Sequence, residues 1–112
     1  MQPTEADLLI QLRKGVLEYC VLARLAREPS YGHQIAADLG RNGLFGSAGS
    51  LYPLLSRLRK QGWVASTWEE SRLGAARRYY TLTPEGRASL TLFSSVWHQF
   101  SDAVHCELRQ QP

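Results

Sequence analysis

Residues 49–60 decide the fold, and they read GSLYPLLSRLRK. Four leucines in this stretch are spaced 3, 1 and 3 residues apart, which places them on one face of an α-helix. They are Leu51, Leu54, Leu55 and Leu58. Ser50 is a suitable N-cap, Pro53 fits the first turn, where its missing N–H is not needed, and Gly62 ends the helix. The sequence therefore predicts a short helix from about residue 47 or 50 to 61, with one buried leucine stripe.

The opposite face of this helix carries small, hydroxyl and aromatic side chains with basic residues beside them. At 100° per residue it lies roughly 160° from Leu51, and it consists of Gly49, Tyr52, Pro53, Ser56 and Lys60, flanked by Arg57 and Arg59. Such a face fits the major groove of DNA, because small residues permit close approach while Tyr52 and Ser56 can hydrogen-bond to base edges or phosphates. An exposed amphipathic helix with a few positive charges is the alternative, and this face alone does not separate the two.

Two helices are predicted upstream. Apolar residues recur at the helical period from about Ala6 to Arg27, although Gly15 weakens the middle and leaves open a separate arm before the helix proper. Pro29 ends this segment, and Ser30 is a good N-cap for a second helix from Tyr31 to about Gly40.

Downstream, the pattern changes from helical to strand-like. Residues 63–68 and 78–82 are rich in aromatic and β-branched side chains, and the polar residues between them predict a hairpin with a wide tip. Thr83 is then a suitable N-cap, with Pro84 in the first turn, for a last helix that runs to about Leu108. The order predicts a mainly α fold with a small β-hairpin, a winged helix-turn-helix followed by a C-terminal helix.

Positive charge is concentrated in residues 41–78, which carry a net charge of +5, whereas the rest of the chain carries −2. Nucleic acid is a natural partner for such a patch. Three of these basic residues, Arg72, Arg77 and Arg78, cluster at and beside the hairpin tip. Arginines there can follow a phosphate backbone or enter a minor groove, although ordinary solvated arginines are the alternative. Lys14 and Tyr31, the latter at a helix N-terminus, are further candidates for phosphate contacts.

Quaternary structure is indicated by the last helix. Large apolar residues recur there at spacings of 3, 4, 3, 4 and 4, close to a heptad seam: Leu90, Phe93, Trp97, Phe100, Val104 and Leu108. The seam can pack on the chain's own first helix, but its length predicts a homodimer through this helix and the N-terminal helix, including Leu8 and Leu12. Residues 1–83 are thus expected to form the DNA-binding domain and residues 84–112 the dimerisation helix of one compact unit. A dimer suits a palindromic operator, with two recognition helices in successive major grooves.

The chain resembles the PadR-like regulators of the short type, with one C-terminal helix, from roughly Arg13 to Leu108. The motifs that carry this resemblance are Lys14-Gly15-Val16-Leu17-Glu18, Pro29-Ser30-Tyr31-Gly32, Gly49-Ser50-Leu51-Tyr52-Pro53-Leu54-Leu55, Arg57-Leu58, Gly62, Arg78-Tyr79-Tyr80 and Leu82-Thr83-Pro84-Glu85-Gly86. The resemblance implies a transcriptional repressor that dimerises through its first and last helices and places Tyr52 in the groove while the wing follows the backbone. Some family members release DNA when a small, often flat aromatic compound binds between the subunits. Trp97 lies in the last helix, where one relative has the tryptophan of such a pore, so Trp97 is a candidate ligand contact. Arg59-Lys60 depart from the family, in which acidic residues are frequent at these positions.

Other classes of protein fit less well. No nucleophile elbow, phosphate loop or paired-acid motif is present, so an enzyme is not expected. His98, Asp102 and His105 share a helix face, but the cysteine-rich spacing of structural zinc sites is absent, so neither a metal nor another cofactor is expected. With no run of 18 apolar residues and no secretory signal, the expectation is a cytoplasmic protein that makes no membrane contact and keeps Cys20 and Cys106 reduced.

A winged helix that binds RNA or another protein remains the alternative function. The aromatic residues of the hairpin, Trp63, Trp68, Tyr79 and Tyr80, are the ones that stacking on RNA would use, although some are expected to pack inward. Steep salt dependence of binding to a duplex DNA palindrome would separate the two functions.

Overall fold

The computed structural model describes residues 2–44, 48–71 and 74–110. The elements in these ranges are α1 (Glu5–Arg13), α2 (Leu17–Arg27), β1 (Ser30–Tyr31), α3 (Gly32–Arg41), a 3₁₀ turn (Ala48–Ser50), α4 (Leu51–Lys60), β2 (Val64–Ser71), β3 (Gly74–Leu82) and α5 (Pro84–Arg109). The described chain is mainly helical with one small antiparallel sheet, which confirms the predicted fold class and adds the short strand β1.

The N-terminal helical segment is divided in two, the arrangement that the sequence left open. Gly15 separates α1 from α2 with a φ of +77°, a conformation that favours glycine because it lacks a Cβ. Thr4 and Asp7 cap α1 reciprocally: the Asp7 amide donates to the Thr4 hydroxyl over 3.2 Å, and the Thr4 amide donates to the Asp7 carboxylate over 3.0 Å. No residue of α1 is buried, whereas α2 buries Val21 and Leu25. The first helix is therefore an exposed arm.

The prediction that Ser30 caps the second helix is wrong. Ser30 lies in β1, where it pairs with Tyr80 of β3, and its hydroxyl donates to the Glu28 carbonyl over 3.3 Å. Tyr31 is the N-cap of α3, and its amide donates to the Gln34 side-chain oxygen over 3.0 Å. Pairing with a strand 50 residues away overrides the local capping preference of serine.

The three strands form one antiparallel sheet in the order β1-β3-β2. Pairing between β2 and β3 extends from Val64 opposite Leu82 to Ser71 opposite Gly74. The wide hairpin tip predicted from the polar residues is therefore wrong, because backbone hydrogen bonds join the strands whatever the polarity of their exposed side chains. Arg72, one of the predicted DNA contacts, lies outside the described residues.

The core lies between α2, α3, α4 and the sheet. It consists of Val21, Leu22, Leu25, Ile35, Leu39, Leu51, Leu54, Leu55, Leu58, Val64 and Tyr80. The four leucines of α4 are at most 6% exposed, as their spacing predicts. Gly62, with a φ of +82°, then turns the chain from α4 into the hairpin.

One charged residue is buried beside this core. Arg24 of α2 is only 4% exposed, and its Nε donates to a carboxylate oxygen of Asp38 in α3 over 2.6 Å. Its Nη1 donates to the Glu28 carbonyl over 3.2 Å. The hydrogen bond from Arg24 lowers the pKa of Asp38. Arg24 thus joins α2 to α3 through a charged group that has partners despite its burial.

The start of α5 is fixed to the base of the hairpin. The Thr83 hydroxyl accepts from the Gly86 amide over 3.0 Å, as an N-cap, and donates to the Gly62 carbonyl over 2.6 Å. A Cβ on Gly86 would lie 2.1 Å from the carbonyl oxygen of Trp63, so only glycine permits this approach. The hairpin base and the first turn of α5 are therefore in direct backbone contact.

The first half of α5 packs on α2, and the second half extends away from the core. Phe93 stacks on Tyr19 with ring centroids 4.2 Å apart, and Leu90 packs against the core. From Val96 onward, most of the helix is exposed. Within the described ranges, neither α5 nor any other helix is long and apolar enough to cross a membrane.

Candidate nucleic-acid interface

A cleft of about 530 Å³ lies between the exposed face of α4 and the hairpin. It is lined by Tyr31, Gly32, His33, Tyr52, Ser56, Trp68, Arg77, Arg78 and Tyr80. Five of these residues were predicted as DNA contacts: Tyr31, Tyr52, Ser56, Arg77 and Arg78. The fold therefore brings the predicted recognition helix, α4, and the predicted wing, the hairpin of β2 and β3, to one concave surface.

Tyr52 is held at the edge of this cleft by its contact with α3. The side chain is 51% exposed, although its ring crosses the backbone of Gly32. A Cβ at position 32 would lie 3.0 Å from the ring carbon Cε1 of Tyr52, tighter than ordinary van der Waals contact. Gly32 thus sets where the phenol group lies, a role that sequence reasoning missed because the contact joins two helices.

Arg78 of the wing is held by two partners on the neighbouring strand. Its Nη1 donates to the Ser66 hydroxyl over 2.8 Å, and its guanidinium carbon lies 4.4 Å from the centroid of the Trp68 ring. The second contact is a cation–π interaction between residues that face each other across the sheet. Trp68 itself is 62% exposed, so it does not pack inward. Its place in the cleft follows from the hairpin register, which the sequence did not provide.

A carboxylate lies beside Tyr31, one of the residues that line the cleft. The Tyr31 hydroxyl donates a hydrogen bond to the Glu69 carboxylate of β2, and this bond raises the pKa of Tyr31. Tyr31 also contacts Tyr79 edge-on, at 5.0 Å between ring centroids. Glu69 faces Arg77 across the hairpin. These contacts connect the N-terminus of α3 to the wing, and the Glu69 carboxylate accepts its hydrogen bond from the Tyr31 hydroxyl.

Other predicted contacts lie along α4 outside the cleft. A second depression beside the start of α4 contains Lys14, Ser50, Pro53 and Arg57. There, Arg57 forms an ion pair with Glu18 at 3.8 Å while remaining 60% exposed. The exposed Gly49 precedes α4 and the exposed Lys60 ends it, and neither lines the cleft. The predicted contacts therefore occupy both sides of the exposed face of α4.

Comparison with known proteins agrees with this arrangement. Residues 21–92 match the model of the Transcriptional regulator PadR-like family. The chain belongs to the PadR-like family. It is therefore a transcriptional regulator rather than an enzyme, and DNA is the partner that its family implies.

Similar proteins cover most of the length of this PadR-like regulator. Transcriptional regulator Rv3488 of Mycobacterium tuberculosis is 36% identical over 83 residues, 72% of this chain and 75% of that protein. The crystal structure of a PadR family transcriptional regulator from Eggerthella lenta DSM 2243 has a TM-score of 0.84 and 36% identity, and the match covers 95% of this chain and 93% of the other. A PadR-like transcriptional regulator from Bacillus cereus strain ATCC 14579 has a TM-score of 0.79 and 38% identity, with 91% and 99% covered.

In this PadR-like regulator, the apolar seam of α5 consists of a first part that packs on the protomer and a second part that is exposed. Leu90 and Phe93 contact the chain's own helical domain, which is the alternative that the sequence left open. The later members are exposed by 40% to 62%: Trp97, Phe100, Val104 and Leu108. On α1, Leu8 and Leu12 are 48% and 68% exposed. The exposed part of the seam therefore begins at Trp97.

An apolar groove of about 550 Å³ runs between α1, α2 and the exposed half of α5. Leu12, Leu17, Trp97, Phe100 and Val104 are among the residues that line it. Trp97 continues a row of aromatic rings, since its centroid lies 6.0 Å from that of Phe93. The predicted ligand contact is thus placed in a groove whose walls are mainly apolar.

Proposed function

We propose that this PadR-like regulator is a repressor that acts in the cytoplasm and binds a palindromic operator as a homodimer. The cleft between α4 and the wing carries the proposal. Tyr52 and Ser56 lie on its recognition-helix side, where they would meet base edges in the major groove. Arg77 and Arg78 lie on its wing side, where they would neutralise phosphates of the adjacent backbone.

The second depression extends this contact along the other side of α4. Lys14 and Arg57 place positive charge there, and Ser50 and Pro53 lie between them and the helix start. With Gly49 and Lys60 at the two ends of the helix, the proposed footprint follows its whole exposed face. A recognition helix seated in a major groove has phosphate backbones on both sides, which fits basic groups at both edges.

The homodimer is proposed on the exposed part of the seam. Trp97, Phe100, Val104 and Leu108 form one continuous stripe on a helix that extends past the core, and Leu8 and Leu12 add apolar surface on α1. Exposed apolar stripes of this kind are typical of subunit interfaces. A twofold axis through such an interface would relate two recognition helices, as a palindrome requires.

DNA binding by the wing is tested with Arg77→Ala. The variant should bind its operator and random duplexes more weakly, because a phosphate contact does not depend on sequence, and the slope of log Kd against log salt should fall by about one. Arg87→Ala is the matched control, since it removes an equal charge from an exposed position of α5 outside the cleft. Fluorescence anisotropy with an operator selected from random DNA measures both slopes. A slope for Arg77→Ala equal to that of the native protein would exclude the wing from the interface.

Base recognition is tested with Tyr52→Phe. The missing hydroxyl should cost about tenfold in operator affinity, roughly the value of one hydrogen bond, and leave binding to random DNA unchanged. Tyr19→Phe removes the same group from a position outside the cleft and should change neither. An equal loss on operator and random DNA would show that Tyr52 contacts the backbone instead.

The dimer is tested with Phe100→Asp. A charge in the exposed seam should give monomers by sedimentation velocity at micromolar protein, whereas Ser95→Asp, at an exposed position on another face of α5, should leave dimers. Phe93 is unsuitable for this test, because its stacking on Tyr19 belongs to the fold of the protomer. Dimers of Phe100→Asp would place the interface elsewhere.

Release by a small, flat aromatic compound is proposed for the groove that Trp97 lines. Such a ligand would stack on the indole and fill apolar volume that the protomer leaves open. Planar aromatic compounds should quench the tryptophan fluorescence of the native protein, and this quenching should be lost in Trp97→Phe. That result would support the proposal. Silence across a broad set of such compounds would leave Trp97 with a packing role only.

A further inference from the structure

Among the described residues of the hairpin, Trp68 is the most exposed large apolar side chain, at 62% of its surface. It lies on β2, two residues after Ser66, so both side chains are on the same face of the sheet. Their partners across the hairpin are Arg78 and Tyr80. This face is buried at Tyr80 and open at Trp68, where it becomes the wall of the cleft.

The indole of Trp68 is oriented without being buried. The Arg78 guanidinium lies 4.4 Å from the ring centroid, and the hydrogen bond from Arg78 to Ser66 fixes that guanidinium in turn. A side chain held in this way loses little further conformational entropy when a ligand contacts it. The exposed remainder of the ring is therefore available for contact in the cleft that the charged groups of the wing also line.

We propose that Trp68 is a DNA-contacting residue whose indole packs on a deoxyribose of the strand that Arg78 neutralises. This inference rests on the proposed function. A sugar offers C–H groups to the ring, and the neighbouring phosphate offers an acceptor to the indole N–H. The contact does not depend on the base, so it contributes affinity and not sequence discrimination.

Affinity and salt dependence test this inference together. Trp68→Ala should weaken binding to operator and random duplex alike by about tenfold, as expected for loss of ~60 Å² of apolar contact. Its salt slope should stay that of the native protein, because the lost group is neutral. Trp68→Phe should recover most of the affinity, since a ring remains. Full affinity in Trp68→Ala would overturn the inference.

The same measurements separate a direct contact from mere support of Arg78. If Trp68 only positions Arg78, then Trp68→Ala lowers the slope of log Kd against log salt as Arg78→Ala does. In that case, adding Trp68→Ala to the Arg78→Ala protein changes neither the affinity nor the slope. That result would overturn the inference. A further loss of about tenfold in the Arg78→Ala background, with no further change of slope, supports it.

Fluorescence of Trp68 alone provides a local readout. In a Trp63→Phe, Trp97→Phe protein with an unchanged circular dichroism spectrum, saturating duplex should reduce acrylamide quenching of Trp68 at least by half. A protein that retains only Trp97 should show a smaller change. Anisotropy of the labelled duplex in the same samples reports binding independently. Bound duplex with Trp68 still accessible refutes this inference alone, whereas absence of duplex binding by the native protein refutes the proposed function as well.

Discussion

Replacing Gly86 with alanine should destabilise the protein through one steric conflict. The new Cβ would lie 2.1 Å from the Trp63 carbonyl oxygen and 2.8 Å from a methyl group of Leu82. Carbon and oxygen atoms in contact are about 3.3 Å apart, so the backbone must move by roughly 1 Å. This movement strains the hydrogen bonds that Thr83 makes with the Trp63 and Gly62 carbonyls. Overpacking costs about 1–3 kcal/mol and a weakened hydrogen bond about 1 kcal/mol, while the helix preference of alanine returns about 0.5–1 kcal/mol.

The expected loss is therefore about 1–3.5 kcal/mol, which lowers the Tm by roughly 5–20 °C for a chain of this size. Urea unfolding and calorimetry at one fixed protein concentration measure it, because the proposed dimerisation would make the apparent stability depend on concentration. Gly40→Ala is the matched control: a Cβ there meets nothing within 4 Å, so the same substitution in α3 should stabilise by about 0.5 kcal/mol. Equal effects at the two positions would refute the steric reasoning.

Two further predictions concern the ion pair between Arg24 and Asp38 and the contact between Gly32 and Tyr52. The hydrogen bond from Arg24 lowers the pKa of Asp38 in the folded state. The ionised Asp38 carboxylate therefore contributes fully to stability above the carboxylate pKa of the unfolded chain, and this contribution is lost as the pH falls below about 4. Urea midpoints between pH 7 and pH 3 should therefore decline less for Asp38→Asn than for the native protein, and parallel declines would contradict this. Gly32→Ala should displace the Tyr52 ring by a few tenths of an ångström and weaken operator binding with little change in Tm; undiminished operator affinity would mean that the ring position is unimportant for binding.

Local chemistry was sufficient to predict most of the fold from the sequence. The leucine spacing of α4 determines which face is buried, because a 3, 1, 3 pattern matches only one period. Thr83 and Pro84 mark the start of α5 through capping that acts within one turn. The resemblance to PadR-like regulators, carried by the motifs around these residues, is confirmed by the family match.

What the sequence did not provide depends on contacts between distant segments. Ser30 has the side chain of a cap, but its pairing with Tyr80 makes it part of a strand. The residues of the cleft were predicted only in part. Helical periodicity and charge were sufficient to predict Tyr52 and the wing arginines. The roles of Gly32 and Trp68 require the packing of α3 on α4 and the register of the hairpin. Such information lies in the tertiary structure and not in any local pattern.

The backbone junction of Trp63, Thr83 and Gly86 has a mechanical consequence. Because the hairpin base and the first turn of α5 touch without intervening side chains, the wing and this helix must move together. In the proposed homodimer, the crossing angle of the two α5 helices would then set the separation of the two wings. An operator with a different spacing between half-sites would require a different crossing angle, and a molecule bound between the two α5 helices would impose one. Either change would alter DNA affinity without any change in the side chains that face the DNA.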